Sequence, residues 1–161
     1  MPDTPSIDEL LQLRFDDAPQ DVPDAPDDGL WQSIANHQSC RSYADTPLSS
    51  ELVRQLCALA LCSPTKSDLQ QRDIIIVHDP AKRATVNALF PSSPWIADAP
   101  VFLVFCGNNR RLRQIHERHG HPFENDHLDA FFNAAVDAGI ALSAFVQAAE
   151  AAGLGTCPIS T

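Results

Sequence analysis

The chain has 161 residues, 44% hydrophobic and 20% charged, enough for one compact domain and too apolar for a chain disordered throughout. Eleven Lys and Arg oppose twenty-one Asp and Glu for a net charge of −10, which argues against a nucleic-acid binder, because phosphates call for a basic surface. The acidity lies at the start: residues 1–30 carry nine acids and one base, so the remainder stands near −2.

Residues 1–29 hold five of the thirteen prolines and read as an acidic, Pro-rich arm. A short helix over Ile7–Phe15 presents Leu10, Leu11 and Phe15, and Asp16–Gly29 follows as an extended linker. The folded domain is expected over residues 30–161. Leu30, Trp31 and Ile34 keep helical spacing behind Asp27 and Asp28, acids that suit a helix N-terminus. The spacing predicts a helix over Ser50–Leu61, capped by Ser49, with Leu52, Leu56, Leu59 and Ala60 on one face; Ser63-Pro64 closes it. Ile74–Val77 predicts a strand buried on both faces and Val101–Phe105 a second. Between them Lys82–Leu89 reads as a helix crossing back over the sheet.

Asp126–Ala152 is almost continuously apolar. A helix of that kind must be enclosed, centrally in the domain or at a subunit interface. Gly153 stops it as a left-handed C-cap, and Thr156–Ile159 begins another strand. Alternating helices and strands give a mixed class, α/β or α+β. No stretch approaches the roughly 20 apolar residues that cross a bilayer, and the N-terminus lacks the basic start of a secretory signal. Five cysteines without a C-x-x-C pair read as buried small hydrophobes in a reducing compartment. The expectation is a cytoplasmic protein with neither nucleic-acid nor membrane partners.

Three segments exceed structural need. In His37-Gln38-Ser39-Cys40-Arg41-Ser42-Tyr43 an imidazole, a hydroxyl and a guanidinium alternate, so an extended turn projects them together toward an anion such as a phosphate. Ser63–Gln71 is a polar loop between a buried helix and a buried strand. Gly153–Thr161 allows a tight turn, after which residues beyond Pro158 offer free N–H groups. His116, His119 and His121 have no metal-ligand register, and no metal site is expected. Arg110, Arg111 and Arg113 read as a surface face, with the attraction of a ligand's phosphates as the alternative. Asp137, inside the apolar helix, reads as structurally paired.

In this order and spacing the segments resemble the FMN-dependent nitroreductase family: His37, Ser39, Arg41 and Tyr43 for its first turn, Ser63–Gln70 for its Pro-containing loop, Asp98–Cys106 for its Ala-Pro strand, then the long helix ending in Gly-Leu-Gly. The likeness covers residues 30–161, and Leu13-Arg14-Phe15 in the arm also looks like some members. The resemblance implies an α+β fold, a mixed sheet flanked by helices with the long helix buried at a dimer interface. It implies a flavoprotein oxidoreductase, a cytoplasmic homodimer with FMN sites lined by both chains. Hydride would pass from NAD(P)H through the flavin to a nitroaromatic, quinone or similar acceptor in a ping-pong cycle. Non-catalytic, FMN-fragmenting or dehalogenating relatives are the alternatives.

The resemblance implies cofactor contacts from His37, Gln38, Ser39 and Arg41, from Lys66, Ser67, Asp68 and Gln70, from Trp95, and from Pro158, Ser160 and Thr161. Backbone donors at Ser160 and Thr161 would meet the flavin where charge accumulates; no side-chain acid or base is assigned. Two positions depart from the family pattern: His37 replaces an Arg, and Asp68 an Asn, which calls for pairing by Lys66 or Arg72. The pattern also continues past the position of Thr161 with phosphate-binding cations, so weaker FMN retention is expected.

Overall fold

A computed structural model describes residues 5–17 and 29–160. Asp27, Asp28, most of the expected linker and Thr161 lie outside the described residues. In chain order the elements are α1 (Ile7–Gln12), α2 (Gly29–Asn36), α3 (Ser50–Leu61), β1 (Arg72–Ile76), α4 (Pro80–Asn87), β2 (Leu103–Gly107), α5 (Arg110–Arg118) and α6 (Leu128–Ala151). The fold is α+β. Among the described residues two strands pair antiparallel, from Arg72 opposite Gly107 to Ile76 opposite Leu103.

Local chemistry sets the helix ends. Ser6 and Glu9 form a reciprocal capping box on α1. The Ser49 hydroxyl accepts the Leu52 N–H on α3, and the Asp79 carboxylate accepts that of Lys82 on α4. Gly153 takes φ +75° just after α6, a left-handed stop that an L side chain resists.

The core lies where α6 packs on α3 and on β2, with further contacts to α2 and β1. Small side chains at Ala130, Ala134, Ala141 and Ala149 make the buried stripe of α6, with Asp137 among them. Leu128, Phe131, Phe132 and Val136 remain more than half exposed on the other side. By length and apolar composition α6 meets the requirement for crossing a bilayer, against expectation; its packing on α3 and β2 is that of a core helix.

Several sequence expectations are corrected. The buried face of α3 is Val53, Leu56, Cys57 and Ala60, one position round from the expected Leu52–Leu59 line. Ile75 is half-exposed, so β1 is not covered on both faces. Phe15 and the α2 residues Leu30, Trp31 and Ile34 are also about half-exposed. Thr156–Ile159 forms no strand: among the described residues its one backbone bond is the Cys40 N–H donating to the Thr156 carbonyl at 2.8 Å. Cys57 is buried, but Cys62 is exposed; all five thiols are free.

Candidate functional site

The loop after α3 is held from behind. Arg72, nearly buried, donates from its guanidinium to the carbonyls of Leu61 (2.7 Å) and Ser63 (2.8 Å), occupying the orphan acceptors at the end of α3. Asp137 accepts the backbone N–H of Lys66 with one carboxyl oxygen (3.1 Å) and that of Gln71 with the other (3.0 Å). Between these anchors Ser67, Asp68 and Gln70 adopt φ of 51°, 54° and 50°. Left-handed conformations at non-glycine residues persist where surrounding contacts impose them. The four side chains Lys66, Ser67, Asp68 and Gln70 thus stand exposed on a fixed backbone. The Gln70 amide donates to Asp68 at 3.1 Å. Arg72 is engaged with carbonyls, so it does not pair with Asp68 as the sequence suggested.

The second cluster surrounds the turn after α2. His37 Nδ1 lies 2.5 Å from the Glu150 carboxylate. Cys40 hydrogen-bonds to Thr156, which brings the His37–Tyr43 turn against the segment following α6. Gly155 is required there, because a Cβ on it would stand 2.8 Å from Cys40 Cβ and Sγ. The Tyr43 hydroxyl donates to the Cys40 carbonyl at 3.0 Å. Burial pushes that phenol above its ordinary pKa, assisted by the nearby Cys157 and Cys40 thiols and opposed by Arg41 and Arg83. The Arg41 guanidinium lies 5.9 Å from the Trp95 ring centre, at cation–π distance. Gln38, Ser39 and Arg41 are exposed, and their side chains make no hydrogen bond among the described residues.

Two cavities adjoin this cluster. The larger, about 490 Å³, is an apolar cleft lined in part by Tyr43, Trp95, Phe102, Phe145, Pro158 and Ser160. The smaller, about 340 Å³, includes His37, Ser143, Gln147, Glu150 and Pro158. They share a wall of Leu142, Val146 and Pro158. Both volumes fall within the roughly 300–1,000 Å³ usual for small-molecule sites. The N–H groups of Ile159 and Ser160 donate to nothing among the described residues, and the buried Thr156 hydroxyl has no partner.

A planar anionic cofactor fits this donor set: a permanent cation and a free hydroxyl at one end, an indole and an apolar cleft beside them, and unpaired backbone donors at the cleft edge. The Lys66–Gln70 loop lines neither cavity. Its clasp at Asp137 and the pair at Glu150 are thirteen residues apart on α6, about 20 Å along the helix. One chain therefore brings together His37, Arg41, Trp95, Pro158 and Ser160, and carries the loop residues separately.

Arg72, Asp137 and Glu150 position the candidate residues. Sequence reading paired Asp137 structurally, as observed, and missed the roles of the other two. The only signal of Glu150 was a charge interrupting an apolar run, and Arg72 stood unmarked in the polar stretch Gln70-Gln71-Arg72-Asp73. In the His116 run, His116 packs against Phe123 with ring centres 4.9 Å apart; no group of three metal-ligating side chains occurs among the described residues. Of the basic face on α5, Arg111 pairs with Asp73 and Arg113 with Asp126.

A family model described as "Nitroreductase family" matches residues 34–161. A Bacillus subtilis protein, "FMN reductase [NAD(P)H]", is 38% identical over 130 residues, which cover 80% of this chain and 52% of that one. The structure of B. megaterium NfrA2 matches with a TM-score of 0.73 at 34% identity, over 78% of this chain and 52% of that chain. The Vibrio harveyi NADPH:FMN oxidoreductase complexed with NAD+ matches with a TM-score of 0.71 at 28% identity, over 78% and 53%. The chain spans about half the length of the curated relatives it matches.

Proposed function

The chain belongs to the nitroreductase family, and from that premise we propose that it binds FMN and works as an NAD(P)H-dependent flavoprotein oxidoreductase on nitroaromatic, quinone or similar acceptors in a ping-pong cycle. The observation that carries this reading is the pair of unpaired N–H groups at Ile159 and Ser160, on the edge of an apolar cleft that Trp95 also lines. Fixed donors of that kind favour a flat heterocycle that gains negative charge on reduction. Bound FMN supplies the hydride chemistry itself.

The residues of this chain bind and orient. Arg41 and Ser39 take the phosphate-bearing end, with His37 beside them and Gln38 on the rim. Trp95 offers a ring face, and Pro158 leads into Ser160, whose backbone N–H would meet the ring edge. The apolar lining of the cleft excludes water, which strengthens each polar contact. Lys66, Ser67, Asp68 and Gln70, about 20 Å away along α6, would serve a flavin seated against a second copy. That separation supports a homodimer with composite sites. The free thiols and a reduced nicotinamide co-substrate support a cytoplasmic setting.

Titration of the purified chain with FMN tests the reading. Saturable quenching of flavin fluorescence is expected, followed by bleaching of the yellow complex when NADPH is added without oxygen. A chain that takes up no FMN after reconstitution overturns it.

A further inference from the structure

The N-terminal arm contributes a cation that lies outside the family match, which begins at residue 34. Helix α1 packs on α2 through the buried Leu10. One turn later the Arg14 guanidinium donates to the backbone carbonyl of His37, the first residue of the anion-binding turn. That bond uses one of its five N–H donors, and no carboxylate pairs with Arg14 among the described residues. The turn needs positive charge. His37 faces the Glu150 carboxylate, which repels an approaching anion, and the neighbouring Gln38 is neutral. All eleven Lys and Arg of the chain lie among the described residues; Arg41 belongs to the turn itself, and the hydrogen bond of Arg14 to His37 places that cation beside it.

We propose that Arg14 is a fixed cation of this site and binds the terminal phosphate of the cofactor together with Ser39 and Arg41, which makes the arm part of the binding site. The inference rests on the flavin reading above and adds a residue to it. A guanidinium is suited to the role because its charge is permanent and its fork can hold a carbonyl and a phosphate oxygen at once. A purely structural Arg14 would cap the end of α2 and nothing more.

Phosphate selectivity separates the two roles. Affinities for FMN and for riboflavin, which lacks the phosphate, are measured by fluorescence quenching on the full chain and on Arg14→Gln and Arg14→Lys. The expected result for Arg14→Gln is about tenfold weaker FMN binding with riboflavin binding unchanged, the size of one charge-assisted contact. Arg14→Lys should recover most of the loss. If Arg14→Gln weakens both flavins equally, or neither, the inference is overturned while the flavin reading stands. If the unaltered chain binds neither flavin, both fall. The ratio of the two affinities stays readable in a destabilised variant, since both ligands report on the same folded fraction.

Discussion

Asp137, wholly buried in α6, accepts the backbone N–H of Gln71 at 3.0 Å, while its other carboxyl oxygen accepts that of Lys66 at 3.1 Å. One side chain thus pins both ends of the loop that holds Ser67, Asp68 and Gln70 in left-handed backbone. The loop's shape belongs to the core rather than to its own sequence.

Removal of that clasp should be costly. Asp137→Ala leaves two N–H donors without acceptors inside the fold, and the expected loss is about 3 kcal/mol, read by urea unfolding. Asp137→Asn keeps one acceptor but turns an amide NH₂ toward the second N–H, so a loss of about half that size is expected. An Ala variant within about 0.5 kcal/mol of the parent would show that the loop holds itself.

Tyr43 is the single tyrosine of the chain, so its ionisation can be followed directly by the near-ultraviolet absorbance of phenolate. Burial raises its pKa above the ordinary value of about 10. For a folded value above the unfolded one, the stabilisation is complete below the unfolded pKa. It disappears as pH rises through the folded pKa. The midpoint of the folded chain should lie above that of the same chain in concentrated urea. Coincident midpoints would place the phenol in solvent and remove the Cys40 contact.

The extent of sequence legibility follows the range of the interactions. Helix α3 was readable to the residue because Ser49, the apolar spacing and Pro64 act locally. Its buried face was misplaced by one position because an apolar stripe is wide, and the packing of α6 on α3 decides which edge is covered. Leu59, on the wrong edge, is 51% exposed. The polar turn at His37–Tyr43 and the loop at Ser63–Gln71 stood out against apolar neighbours. What fixes them did not, because Gln71–Asp137 and His37–Glu150 are separated by 66 and 113 residues. Thr156–Ile159 has the composition of a strand, but a strand also needs a ladder partner, and Cys40 supplies a single bond.

Gly155 tests how tightly the turn abuts the segment after α6. An Ala there sets a methyl group 2.8 Å from Cys40 Cβ and Sγ, and relief requires the two backbones to part and weaken the bond from Cys40 to Thr156. A loss of about 1–3 kcal/mol is expected in thermal or urea unfolding. Pairing the change with Cys40→Gly, which removes both opposing atoms, should restore part of it. If Gly155→Ala costs nothing, the two segments are not in contact in solution.

The exposed side of α6 carries the last prediction. Leu128, Phe131, Phe132 and Val136 recur at helical spacing with more than half of each side chain exposed, and a contiguous apolar patch of this kind marks an association surface. It lies on the half of α6 that holds the Lys66–Gln71 loop, away from the His37–Glu150 pair, as a site shared between two copies requires. Val136→Glu and Phe132→Glu change exposed positions, so the fold should survive. Sedimentation velocity should show the parent chain as a dimer and both variants as monomers. FMN affinity should fall with the dimer, since each monomer retains half of the contacts. A parent chain that sediments as a monomer at tens of micromolar, yet binds FMN as tightly as any variant, would confine the site to one polypeptide and leave the loop at Ser67 without a role in it.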